Sequence, residues 1–158
     1  MSSQKVGHTF LVLLMLGQAG MLALPCFANQ PVAWTSLTSN MTIDSDGTLR
    51  KSSGGSDWNG GAHSTRSITE GDFTLEFAAH QTGKARMIGL AVNPAGHVFH
   101  TIDYTFYLNG GSAFMVYENG NNKTGNASFT DQDRFRIAYT EGDVVYTHLK
   151  STGEEVEV

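Results

Sequence analysis

The sequence predicts an all-β fold, an antiparallel sandwich, on three observations. Every apolar set after the first 28 residues has period two, tight-turn residues recur at short intervals, and no stretch of ten residues there shows helical periodicity. Short strands separated by turns at this spacing favour a sandwich or barrel over any βαβ arrangement.

The first 28 residues read as an export leader. Lys5 and His8 precede an apolar run from Phe10 to Leu24, and Pro25-Cys26-Phe27-Ala28 offers a cleavage site before Asn29. A membrane anchor is the competing reading, but spanning needs about 20 continuous apolar residues and Gln18 interrupts this run. A lipoprotein signal at Cys26 is disfavoured by Pro25, which stands where a small residue is expected.

Residues 29–158 then form one domain, a length expected to bury roughly 65–70% of the unfolded surface. The whole chain carries a formal net charge of −5, and losing Lys5 makes the remainder more acidic. That balance gives no electrostatic attraction to nucleic acid or anionic lipid. Cys26 is the only cysteine, so the exported domain is expected to have no disulfide and to rely on packing and sheet hydrogen bonds.

Extended pieces at Val32 to Leu37, Met41 to Ile43 and Thr48 to Lys51 flank the turn Asp46-Gly47. A Gly-rich loop is predicted from Ser52 to His63, because Gly54, Gly55, Gly60 and Gly61 weaken any preference for helix or strand. Strands follow at His63 to Ile68, at Phe73 to Ala79 with Phe73, Leu75 and Phe77 on one face, and at Met87 to Val92 with Ile88, Leu90 and Val92 on one face.

After a loop from Asn93 to His100, the segment Ile102 to Gly120 writes two alternating strands. Tyr104, Phe106 and Leu108 share one face, and Asp103, Thr105 and Tyr107 share the other. Asn109-Gly110-Gly111 turns the chain into Phe114 and Val116, and Asn119-Gly120 suits a type I′ hairpin. Glu118 to Asn126 reads as a polar connection to Arg134 to Thr140, where Phe135, Ile137 and Tyr139 point one way and Arg134 and Arg136 the other. Turns at Glu141-Gly142-Asp143 and Ser151-Thr152-Gly153 bracket a last full strand, Val144 to Leu149.

Taken together, WTSLTSNMTIDSDGTLRK, WNGGAHSTRSI, GDFTLEFAA, IDYTFYLN, VYENG, and DRFRIA followed by GDVVY resemble the concanavalin A-like, SPRY-like β-sandwich modules of secreted or surface proteins in bacteria and some protists. The resemblance runs from Trp34 to about Glu155 and implies a concanavalin A-like jelly roll in an extracellular setting. In that family the chain continues beyond the GDVVY hairpin with a further strand, whereas here THLKSTGEEVEV reaches Val158. The resemblance therefore implies one or more missing C-terminal strands, and an exposed sheet edge that would pair with another chain.

Candidate chemistry lies in the loops. Trp58, between Asp57 and Asn59, has the aromatic face and the hydrogen-bonding neighbours that suit a sugar ring; the plainer reading is an indole covering the sandwich end. His63, Asn121 and Asn122 complete the candidate ligand set, which draws on the Gly-rich loop and on Glu118 to Asn126. Trp34, at the start of a strand, is expected in the core.

Asp44-Ser45-Asp46-Gly47 opens like a calcium loop but lacks the closing acid, so a hairpin turn is the better account. His97 and His100 lack further ligands at metal spacing, and no metal or cofactor is expected. An enzyme is disfavoured. Only Glu155 and Glu157 have the same-face spacing of a retaining glycosidase, at a terminus expected to fray, while Glu76 and Asp103 stand alone on polar faces and no Gly-x-Ser-x-Gly elbow occurs. The expected function is a secreted binding or adhesion module whose partner is a glycan or an extracellular protein. The alternatives are a structural spacer in a larger surface protein and a glycoside-active fragment. Asn40, Asn122 and Asn126 stand in glycosylation acceptor triplets, which matter only in a eukaryotic source.

Overall fold

In a computed structural model, the backbone is described for residues 10–16, 21–22, 26–27 and 30–158 and the side chains from residue 31 onward, in both cases without Glu70 and Ala95. Lys5, His8, Gln18 and the expected cleavage junction at Ala28 and Asn29 lie outside the described residues.

The protein is all-β and antiparallel, with a short 3-10 turn at Phe99–Thr101 between strands. The N-terminal strands are β1 (Phe10–Leu16), β2 (Met21–Leu22), β3 (Cys26–Phe27), β4 (Gln30–Pro31) and β5 (Trp34–Thr35). The middle of the chain supplies β6 (Met41–Ile43), β7 (Leu49–Lys51), β8 (Gly60–Ile68), β9 (Phe73–Ala78) and β10 (Arg86–Val92). Next come β11 (Tyr104–Leu108), β12 (Ala113–Glu118), β13 (Asn121–Asn122) and β14 (Ala127–Ser128). The last strands are β15 (Arg134–Thr140), β16 (Asp143–Leu149) and β17 (Glu155–Glu157).

One large sheet runs β13-β12-β11-β10-β1-β8-β5, with β14 also on β12; the second runs β17-β16-β15-β9-β3-β4. A small sheet, β2-β7-β6, stands beside them. The two large sheets meet through aromatic side chains at alternate strand positions, which period-two patterning directs to one face. Phe106 of the first sheet packs on Phe77, Phe135 and Tyr146 of the second, at ring-centroid distances of 6.0, 4.8 and 5.4 Å. Phe114 reaches Phe135 at 5.0 Å, and Ile88, Leu90, Leu108, Leu75 and Ile137 are fully buried around them. Trp34 joins this core as expected.

The turns follow their residues. Asn119 and Gly120 have φ of 49° and 77° and close a two-residue hairpin between Glu118 and Asn121, the type I′ geometry the Asn-Gly pair suggests. Asn109 Oδ1 accepts the N–H groups of Gly111 and Ala113, which fixes the turn into β12.

Several boundaries differ from the sequence reading. Gly60 and Gly61 belong to β8 and not to the loop, since β8 begins at Gly60. Their lack of a side chain reflects close packing: a Cβ on Gly60 would come within 2.9 Å of Met41 Sδ, and one on Gly61 within 2.8 Å of His97. Asn121 and Asn122 form β13, folded back on β12, so the polar connection is partly a hairpin. Glu155 and Glu157 lie on β17, a strand in register with β16, and not in a frayed end. Glu76 does not stand alone: it pairs with Arg134 and, at 3.1 Å, with Arg136, which also holds Glu155 at 3.0 Å. Asp103 Oδ2 accepts the N–H of Val92 at 2.6 Å.

The apolar N-terminal segment also takes a place in the fold. The backbone of β1 runs antiparallel between β8 and β10, while β2 pairs with β7 and β3 with β9.

Candidate functional site

The outer face of the first sheet, opposite the sandwich core, carries an aromatic row. Core residues Phe106, Val116 and Ile88 alternate along their strands with Tyr107, Tyr117 and Met87, so period two turns the latter set outward. Trp58 reaches over from the Gly-rich loop and meets Tyr107 edge-on at 5.6 Å; Tyr107 in turn meets Tyr117 at 5.9 Å. Trp58 is 39% exposed and both tyrosines are half-buried. Met87, Ala91 and Ile102 form a small buried cluster against which the two tyrosines pack. Burial, and then the neighbouring Tyr117, push the Tyr107 hydroxyl above its ordinary pKa, so it stays a hydrogen-bond donor at neutral pH.

The loop that carries Trp58 is held by a buried cation. Lys51, the last residue of β7, is 1% exposed, and its ammonium donates to the backbone carbonyls of Gly54, Gly55 and Asp57 at 3.4, 3.2 and 2.5 Å. Burial lowers its pKa, and the charge of Asp57 opposes that shift. Asn40 Nδ2 donates to Asn59 Oδ1 at 2.8 Å and ties the far end of the loop to the β6 hairpin.

A second loop crosses the same face. His97 stacks on His63 with centroids 4.6 Å apart and would be met by a Cβ on Gly61; three residues on, His100 lies 3.1 Å from where a Cβ on Gly120 would stand. Between them Val98 and Phe99 are 46% and 43% exposed. His63 Nε2 lies 3.2 Å from the Gly96 carbonyl. Burial, despite that bond, lowers the His63 pKa, with His97 adding to the shift.

The candidate ligand set is thus divided by the fold. Trp58 and Asn122 share the outer face, Asn122 standing opposite Tyr117 with its Nδ2 at 3.5 Å from Met115 Sδ. Asn121 stands opposite Glu118 and so belongs to the other face. His63 is also outward, but β8 and β13 are five strand spacings apart, roughly 24 Å, too far for one sugar ring to touch both His63 and Asn122. Asp57 acts through its carbonyl on Lys51, and the Asn59 side chain serves the loop. Tyr107, Tyr117 and Lys51 were not singled out in the sequence. An aromatic at the outward position of each of two neighbouring strands was the available signal, whereas the role of Lys51 depends on the path of the loop.

Asp44 pairs with Arg50 at 2.8 Å across the β6–β7 hairpin, and Asp46 Oδ1 accepts the Thr48 N–H, so this acidic run forms a turn. Among the described residues, no group of three or more His, Cys, Asp or Glu side chains is placed to hold a metal ion, and no helix is long and apolar enough to cross a membrane. No protein-family model, curated protein or solved structure matches the chain.

Proposed function

We propose that this chain is an exported, non-enzymatic binding module of the concanavalin A-like, SPRY-like kind, and that it takes carbohydrate on the outer face of its first sheet. The row Trp58-Tyr107-Tyr117 carries the reading. Aromatic rings offer flat apolar surface to the C–H face of a sugar, while the Tyr107 hydroxyl and nearby amides such as Asn122 meet its hydroxyl groups. Export rests on the charged start, the apolar run and the cleavage pattern of residues 1–28.

A glycan array with the exported protein, together with tryptophan fluorescence titration, tests the site. Binding of a defined glycan class that is lost in both Trp58→Ala and Tyr107→Ala supports it. A blank array, or binding indifferent to both substitutions, removes carbohydrate recognition from this face.

A further inference from the structure

The position of β1 has a consequence for the exported form. β1 is an interior strand of the first sheet, between β8 and β10: Leu14 stands opposite both Ala62 of β8 and Ile88 of β10, Leu13 opposite His63 and Gly89, and Leu16 opposite Gly60 and Arg86. Cleavage before Asn29 removes this seven-residue strand. The sheet is then divided into β13-β12-β11-β10 on one side and β8-β5 on the other. The facing edges of β8 and β10 lie two strand spacings apart, roughly 10 Å, too far to bond to each other. Both edges present backbone N–H and C=O groups inside a sheet whose neighbouring side chains, Ala62, Ile88, Leu90 and Ala91, are fully buried. Bare edges of this kind are templates for an incoming strand.

We propose that the mature protein receives in this slot an extended strand donated by another polypeptide, and that the leader strand fills it only in the precursor. This rests on the export reading above. The register defines the donor. It runs antiparallel to β10 over seven residues, and to β8 with a register shift between Leu11 and Leu13, with apolar residues at the alternate positions opposite Leu90 and Ile88, which face the core. The opposite set stands beside Gly61 and Gly89. The strand itself supplies the binding energy through two ladders of backbone hydrogen bonds, and the alternate apolar positions set specificity.

The test uses the exported protein as collected, with its N-terminus determined by mass spectrometry. It is refolded with a fluorescent peptide spanning residues 10–16, flanked by lysines for solubility and with cysteine in place of Leu11. Fluorescence anisotropy should report capture by the wild type, and at least about tenfold weaker capture of a peptide carrying Val12→Asp and Leu14→Asp, at the positions opposite the fully buried Leu90 and Ile88. Because Leu11 stands opposite Ala91, a mixed disulfide should form with Ala91→Cys and not with Val145→Cys on the second sheet. A mass that retains residues 10–16 overturns the export reading and this inference with it. A mature N-terminus with no capture by the wild-type protein overturns the inference alone.

Discussion

Replacing Lys51 by methionine separates the cage that holds the Gly-rich loop from the packing of the lysine stem. Methionine keeps an unbranched apolar stem against Gly60, where Lys51 Cγ and Cδ pack within 3.3 and 3.1 Å of a Cβ position, and removes only the ammonium. The three carbonyls it serves, of Gly54, Gly55 and Asp57, lose a charged donor. Hydrogen bonds to a charged group contribute about 1.5–3 kcal/mol each when nothing replaces them. Residues 52–59 are exposed, so water takes over much of that bonding, and the lysine no longer has to be desolvated. The expected net loss is about 2 kcal/mol, a fall in Tm of about 6–8 °C for a domain of this size. Trp58 should then leave Tyr107, which would show as red-shifted emission and easier acrylamide quenching, while buried Trp34 is unaffected. An unchanged Tm would mean that the cage contributes nothing to stability. A lowered Tm with unchanged Trp58 quenching would mean that the cage does not position the indole.

Phe106→Ala should cost about 3–5 kcal/mol in urea denaturation, because its ring contacts Phe77, Phe114, Phe135 and Tyr146 at the centre of the sandwich. Gly89→Ala should prevent normal folding, seen by circular dichroism and gel filtration, because its Cβ would collide with the Tyr104 backbone carbonyl across the β10–β11 pair. Asp133 carries an acid dependence. Burial alone would raise its pKa, but hydrogen bonds from the Thr130 and Ser151 N–H groups, the Thr130 hydroxyl and His148 outweigh it and hold the carboxyl well below the usual carboxylate range. The stability it contributes is fully present above the unfolded carboxylate pKa of about 3.9 and is lost as pH falls below it, so Asp133→Asn should flatten that part of the stability–pH curve. His63, held neutral by burial, acts higher: its contribution is present above about pH 6.5 and declines below it, and His63→Asn should remove that decline.

The outcome for the glycines and asparagines shows which signals can be read from order along the chain. At Asn119-Gly120 the sequence was sufficient, because a two-residue turn with positive φ at both positions is a local demand and few residues meet it. At Gly60-Gly61 the same composition misled: those glycines accommodate Met41 and His97, neighbours remote in sequence. Glu76 and Asp103 stand alone in the sequence for the same reason, since the partners Arg134, Arg136 and the Val92 N–H come from other strands.

By itself the sequence determined the all-β class, most strand positions and the inward face of β9, β10, β11, β12 and β15, since period-two alternation and turn chemistry act over a few residues. Tertiary structure alone decided which outward residues meet. It brought Trp58 onto Tyr107, folded Asn122 back beside Tyr117, separated Asn121 from them and set His63 apart on β8. It also put β1 inside the first sheet, a placement that depends on which edges β8 and β10 leave open. Those pairings are made between residues far apart in the chain, and hydrophobic alternation specifies a strand's face without specifying its neighbour.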